Sequence, residues 1–394
     1  MTGTPSKALL REQKQIILDR IHSHHLRPWR GSDGNIFFIS DTYPGVWLEH
    51  TFDGVVWADY CPEQHEVSRN QVRLFLKWQK PDGQLPCYIW QNEVGYGWTQ
   101  ECVSFGSLCL DAIRQNPQDP ALLSDCYRAC CAWDAWLCRT HMTLGTGLIE
   151  MFCGYDTGHD NSGRLYGLKY PGDFCGDGNI APQDDDALPI LAPDMNAVFY
   201  GNRMALAQMA EKLNLPQEAA AWRAKAENVK KKLFEYCYNE QDQFFYDVDK
   251  YGRQRKVKSI SITNVFTEGV LDQDLGSRIF ERYLHNPGEF WTPWPFPSIA
   301  ISDEKWVQNL PGNSWGFYSQ GLTALRSLRW MEAYGRTAEM EEIMAKWVAA
   351  WSQSTTTPFG QELHPMTGEP SECSAWYSSC MLYFLHAIRR LYDI

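Results

Sequence analysis

The sequence predicts an all-α fold, a toroid of paired helices with its long loops gathered on one face. Three observations predict it. Apolar residues recur at helical spacing through most of the 394 residues. Short turns marked by Pro or Gly join neighbouring helices into hairpins. Long loops rich in Gly, Pro and Asp are inserted between the helix pairs at regular intervals.

The elements follow in chain order. A first helix is expected from about Leu9 to Ile21. After Pro62, the residues Val67, Gln71, Leu74 and Trp78 trace another, and one more is expected from Glu101 to Arg114. Leu122, Cys126, Ala129, Trp133 and Leu137 mark the next. A helical hairpin is the clearest unit. Met195, Phe199, Leu206, Met209 and Leu213 line its first arm, and Ala219, Trp222, Ala226, Val229 and Leu233 its second. Pro216 suits the first turn of that second arm, where its missing N–H costs nothing. Further on, a helix from Ser314 to Tyr334 should stop at Gly335, and Thr337 should cap one carrying Met340, Met344, Trp347 and Trp351. A last helix is expected from Ser374 to Leu391, making roughly ten to twelve.

The intervening loops are Gly31–Tyr60, Asp82–Thr99, Gly154–Pro193, Asn286–Asn313 and Ser354–Cys373. Loops of this length on a compact scaffold usually carry function. No fixed-period repeat supports an open solenoid, and no composition break suggests a linker, so residues 1–394 are read as one domain.

Composition excludes several functions. A formal net charge of -12 argues against a nucleic-acid partner, which needs clustered Lys and Arg. No apolar run of about 18 residues is present to span a membrane. Met1 to Gln15 lacks the apolar centre of a signal peptide. The 13 Cys, an odd number scattered through helices, fit reduced thiols and a cytoplasmic location. The 17 Trp, 19 Tyr and 18 Phe suit either a large core or a surface on which sugar rings stack.

Two loop segments concentrate carboxylates among glycines: Gly154 to Arg164, containing Asp156, His159, Asp160 and Asn161, and Phe359 to Glu369, containing Gln361 and Glu362. Hydrolysis of a glycosidic bond needs one carboxylic acid to protonate the leaving oxygen and a second carboxylate across from it. Two such loops meeting at one rim would supply the pair. The same residues have plainer readings. Asp160-Asn161-Ser162-Gly163 would also make an ordinary Asx turn, and Asp156 with Asp160 misses the alternating oxygens of a calcium loop. Asp184-Asp185-Asp186 is either a solvated acidic triplet or a magnesium site of the kind used by helical isoprenoid synthases. His50, His65, His159 and His364 lie in or near the loops as acid–base candidates without ligand spacing, so no metal and no cofactor is expected.

The chain resembles the clan of (α/α)6 inverting glycosidases that contains glycoside hydrolase family 63, over roughly Trp47 to the C-terminus. The resemblance rests on His159-Asp160-Asn161-Ser162-Gly163-Arg164, Pro193-Asp194-Met195-Asn196-Ala197, Phe245-Tyr246-Asp247-Val248, Phe290 to Ser298 and Glu362 to Glu369. It implies an (α/α)6 barrel that releases a terminal sugar from a small α-linked glucoside or mannoside, with Asp160 as general acid and Glu362 as general base. It further implies sugar contacts from Trp47, Asp53, Trp98, Asp156, His159, Asn161, Arg164, Asp194, Trp294, Trp315, Gln361 and Trp376. Because a nearby cation would depress the acid's pKa, Arg164 is expected to reach a sugar hydroxyl or another carboxylate rather than Asp160. The chain departs from the pattern at Asn313-Ser314-Trp315-Gly316-Phe317, where the family has an Arg, and at Gly163, where it has Pro. The rival expectations are a sugar epimerase or isomerase using His159 and His364, and a sugar-binding protein without catalysis.

Overall fold

The computed structural model describes residues 4–173, 177–307 and 313–394; parts of the Gly154–Pro193 and Asn286–Asn313 loops therefore lie outside the described residues. Helices alternate between an inner and an outer ring. The inner ring consists of α2 (Thr51–Tyr60), α4 (Phe105–Gln115), α6 (Pro193–Lys212), α8 (Ile262–Thr267), α10 (Gly321–Ser327) and α12 (Ser378–Tyr392). Each packs on the next, and α12 returns to α2, so the ring closes. Outside it lie α1 (Lys7–Arg20), α3 (Glu66–Lys77), α5 (Pro120–Thr140), α7 (Pro216–Tyr236), α9 (Gln273–Ile279) and α11 (Thr337–Gln353). Of these, α3 lies against α2 and α4, α5 against α4 and α6, and α7 along α6. This is the expected (α/α)6 toroid.

The two rings bury different patterns. In α7 the buried positions are Ala219, Trp222, Ala226, Val229 and Leu233, one stripe at steps of three and four. In α6 every residue from Pro193 to Arg203 is buried, because an inner helix has neighbours on all sides. Caps define several starts. Ser6, Ser104, Asp119 and Asp272 each accept an N–H of the first turn, and Pro120 and Pro216 occupy the first helical turn. Thr337 is not the expected cap; Arg336 precedes α11 and makes no side-chain cap bond.

Two departures stand out: Thr51–Tyr60, expected as the end of the Gly31–Tyr60 loop, is the inner helix α2, and the expected helix from Ser314 to Tyr334 is mostly not α-helical. Only Gly321–Ser327 is α-helical, and turns continue to Gly335, which ends them at φ +70°. Residues Ser319–Gln320 instead pair antiparallel with Glu362–Leu363. The chain there serves the loop face rather than the ring. All twelve described cysteines are free thiols. Among the described residues, no helix is long and apolar enough to cross a membrane.

Candidate active site

A cavity of about 300 Å³ opens among the loops at one end of the ring. Aromatic rings form part of its wall: Trp47 and Trp90 come from a three-stranded sheet of Gly45–Trp47, Tyr88–Trp90 and Val94–Gly95, joined by Tyr43, Trp98 and Tyr155. Carboxylates and amides supply the rest, chiefly Glu49, Gln100, Asp160, Asn313 and Gln361.

The Gly154–Leu165 loop is fixed before it reaches the cavity. Asp156, buried, accepts hydrogen bonds from the backbone N–H groups of Thr99 (2.7 Å), Phe152 (2.7 Å) and Cys153 (3.1 Å), and from the Thr99 hydroxyl. Its carboxylate is spent on the loop. Gly158 then turns at φ +66°, with the Cys102 thiol 3.0 Å from where a Cβ would stand, so the close approach and the left-handed backbone both call for glycine. At the far end Arg164, only 1% exposed, donates to both oxygens of Asp194 (2.6 and 2.8 Å) and of Asp247 (2.9 and 2.6 Å). Arg164 also approaches His159 Nδ1 at 3.2 Å; a guanidinium only donates, so Nδ1 accepts and the ring proton sits on Nε2. Burial holds the His159 pKa down at about 3.

Asp160 emerges between these anchors at the cavity wall. Its backbone carbonyl accepts the Trp315 N–H (2.9 Å), and its Oδ2 accepts the side-chain N–H of Asn313 (2.6 Å). Burial, with the Glu49 charge adding to it, raises its pKa to about 7, and the Asn313 bond opposes the rise. Asp160 is thus a carboxyl that retains its proton close to neutrality.

Glu362 lies on the short strand opposite Gln320. Its Oε1 accepts from Asn313 N (3.0 Å) and Ser371 Oγ (2.8 Å), and its Oε2 from Ser314 N (3.0 Å) and Gln320 Nε2 (2.6 Å). Burial raises its pKa, against the pull of these four donors. Asn313, at φ 58°, therefore touches both carboxylates, its amide side chain on Asp160 and its backbone N–H on Glu362. Gln361 steadies it by donating to Asn313 Oδ1 at 2.8 Å, and Asn161 by donating to its carbonyl at 3.0 Å.

Of the expected sugar contacts, Trp47, Trp98 and Gln361 line the cavity with Asp160. Several others are corrected. Asp53 points into the ring, where the hydroxyls of Ser378 and Ser379 hold it. Asp156, Arg164 and Asp194 are engaged in the buried bonds described above. Trp315 is buried, stacked on His159 with ring centroids 4.2 Å apart, so neither of those rings lines the cavity. Trp294 donates to the Lys346 carbonyl, and Trp376 packs on Phe359. Asn161 reaches Asn313 rather than the cavity.

Glu49 is a cavity carboxylate that the sequence did not single out, as it did not the cavity residues Tyr43, Trp90, Gln100 and Tyr155. It sits one helical turn before Asp53, in the same apolar stretch. The Arg326 guanidinium donates to its Oε2 at 2.6 Å, and Cys102 Sγ lies at 3.4 Å. Burial opposes its ionisation, but His50 and Arg326 outweigh burial and hold its pKa below the usual carboxylate range. The only available signal was its position between Trp47 and His50.

The rival chemistries find less support. His364 accepts the N–H groups of Met366 and Thr367 in a turn, and His65 Nε2 accepts from the Gln118 side-chain amide at the surface. His50 does line the cavity, with Nε2 2.9 Å from the Tyr377 hydroxyl, and burial lowers its pKa. In the acidic triplet, Asp184 pairs with Lys169 while Asp185 accepts the N–H groups of Lys169, Ala187 and Leu188. Among the described residues, the one cluster spaced for a metal is Glu281, His285 and Glu339, and Arg336 already contacts both of its glutamates.

Comparison with known proteins decides the family. The profile of the mannosylglycerate hydrolase MGH1-like glycoside hydrolase domain matches residues 64–379. The chain belongs to that family. The glycoside hydrolase family 63 mannosylglycerate hydrolase of Thermus thermophilus, solved with Tris and D-glycerate, superposes with a TM-score of 0.73, at 15% identity over 95% of this chain and 99% of that one. The neutral trehalase Nth1 of Saccharomyces cerevisiae superposes at 0.70, with 10% identity over 92% and 76%. Both likenesses are of fold. An uncharacterized protein of Borreliella burgdorferi is 26% identical over 144 residues, which span 36% of this chain and only 28% of that relative.

Proposed function

We propose that the chain is an inverting glycoside hydrolase that removes a terminal sugar from a small α-linked glucoside or mannoside. Asp160 is the general acid and Glu362 the general base. The observation that carries this reading is Asn313, which hydrogen-bonds both carboxylates and so stands between them. Inversion needs the two separated by roughly 6.5–9.5 Å, with room for water between.

The chemistry follows from the two environments. Asp160 keeps its proton near neutral pH and gives it to the leaving oxygen as the glycosidic bond breaks. Glu362 takes a proton from the water that attacks the anomeric carbon from the other side. A carboxylate has about four acceptor sites, and the four bonds described for Glu362 fill them. One donor therefore gives way during turnover. Asn313 stands in the cavity wall and is the donor best placed to do so. The enclosed volume is at the small end for ligand sites, which favours a short glycoside over a polymer. The glycerate bound by the Thermus enzyme and the glucose bound in another complex of it lie in the same substrate range.

A second reading takes Glu49 as the base. It lines the cavity, and its Oε1 has only Gln100 at 3.4 Å and His50 at 4.0 Å for company. Arg326 lowers its basicity, which is why Glu362 is preferred. Proton NMR of the first-formed sugar from an α-glucoside or α-mannoside tests inversion; a retained anomer rules out the acid–base pair. Hydrolysis by Glu362→Gln and Glu49→Gln separates the bases, since only the base's variant should lose turnover while still binding substrate.

A further inference from the structure

The cavity has a chemical bias beyond its size. No Lys or Arg lines it among the described residues, and the undescribed stretches 174–176 and 308–312 contain neither residue type in sequence. Arg30 reaches only the outer side of the wall, at the Trp90 carbonyl, and the guanidiniums beside the site's carboxylates are already committed. Arg326 pairs with Glu49, and Arg164 is held by Asp194 and Asp247. Among the described residues the one cavity histidine, His50, sits against the Tyr377 hydroxyl, and burial lowers its pKa.

What the wall offers instead is acceptors and aromatic faces. Gln100 is 5% exposed and its Oε1 has no hydrogen-bond partner, so a buried acceptor stands at the cavity without a donor. Glu49 is a carboxylate beside it, with Gln100 Nε2 3.4 Å from its Oε1. Hydroxyl groups can donate to both. The aromatic wall continues as packed rings, with Trp47 and Trp90 centroids 5.7 Å apart and those of Trp98 and Tyr155 5.2 Å apart. Such faces take the C–H surface of a neutral sugar or alkyl group. A carboxylate on the leaving group would meet acceptors, a like charge and apolar rings, with no cation to replace its water.

We propose that this cavity selects glycosides whose leaving group is uncharged and excludes those whose leaving group carries a carboxylate. The proposal rests on reading the cavity as a glycosidase site. Within a family named for hydrolysis of a glycerate glycoside, it assigns this chain a different substrate class.

Matched pairs test it. α-Glucosylglycerol and α-glucosylglycerate, and the corresponding α-mannosides, differ only in the carboxylate. Titration calorimetry with the Asp160→Asn protein reads binding without turnover. In at least one pair the glycerol member should bind about 10- to 100-fold more tightly than the glycerate member. Equal or tighter binding of both glycerates overturns the proposal, and so does failure of all four compounds to bind. Competition between pair members for the unmodified protein, read as initial rates, should favour the glycerol compounds by a similar factor; the reverse order also overturns it. Hydrolysis of α-glucosyl and α-mannosyl fluoride by the unmodified protein tests the underlying reading separately. If neither fluoride is cleaved but the glycerol glycosides still bind preferentially, the hydrolase reading falls and the selectivity stands.

Discussion

Asp160 and Arg164 lie a few residues apart on one loop, yet they belong to opposite kinds of site. Around Arg164, two buried carboxylates share one guanidinium, and every oxygen of Asp194 and Asp247 accepts a bond from it. Around Asp160, a carboxyl of the same loop receives only an amide N–H, and its pKa is raised to about 7. Burial works on both places alike. What differs is whether a cation answers it. Of the two carboxylates on Arg164, Asp194 has its pKa held below the ordinary value by the guanidinium, while burial still raises that of Asp247 against the same cation; Asp160, left beside Glu49 without one, keeps a proton it can give away. The Arg164 pairs hold the loop against α6 so that Asp160 can be held at the cavity.

The largest effect should come from breaking the paired side of this contrast. Arg164→Met leaves Asp194 and Asp247 buried without a cation, and removal of one partner from a buried pair costs about 3–5 kcal/mol. Urea denaturation should show that loss, and any hydrolysis should fall with the folded fraction. A variant as stable as the parent would mean that Arg164 does not hold the loop. Asp160→Asn should behave oppositely. Hydrolysis of aryl glycosides should drop by about 10²–10⁴-fold, the usual contribution of an acid–base group. At about pH 4 its denaturation midpoint should stay near the parent's, because an amide, like the protonated carboxyl, can still accept from Asn313. Loss of fold together with activity would place Asp160 among the structural carboxylates instead.

Glu362 stands between the two types, since four donors hold it without any cation. Glu362→Gln should abolish hydrolysis and also lower stability by about 1–3 kcal/mol, because the amide's NH₂ would face at least one of the present donors. Glu49→Gln should weaken the Arg326 pair and lower the Asp160 pKa, with partial rather than complete loss of rate. If Glu49→Gln is the inactive variant and Glu362→Gln still turns over, the base is Glu49.

The same contrast explains what could be read from the chain. The five buried positions of α7 were legible because an outer helix presents one stripe to the ring, which is a periodic signal. Asp160 and Glu362 stood out as candidates because acidic residues in glycine-rich turns are conspicuous and because their motifs resemble a known family; the structure joins them through Asn313. The first part of the helix expected from Ser314 to Tyr334 failed for a physical reason: the N–H groups of Asn313 and Ser314 and the side chain of Gln320 are taken by Glu362, and a carboxylate that far along the chain has no local signature. Glu49 and Asp53 show the limit at one turn's spacing. Both are buried acids in an apolar stretch, and only the three-dimensional positions of Arg326 and Ser378 tell which faces the cavity.

The last expected effect is a slope, and its sign follows from Asp160 alone. The carboxyl has its ordinary value of 3.8 in the unfolded chain and about 7 in the folded one. Between those values the folded protein holds a proton that the unfolded chain has released, so stability falls as pH rises from about 4 to about 7. Above that range both states are ionised and the contribution is fully lost. Asp160→Asn has no such proton, so the stability of the parent relative to this variant should decline across the same window and level off beyond it. Activity uses the same proton: hydrolysis should lose about tenfold per pH unit above about 7, while protonation of Glu362 sets the acidic limb. Denaturation midpoints of parent and variant at intervals from about pH 4 to about pH 8 measure the first slope, and pH–rate profiles the second. If both proteins show parallel midpoints, the proton is not held at Asp160, and the distinction between a carboxylate answered by a cation and one left to keep its proton fails at this loop.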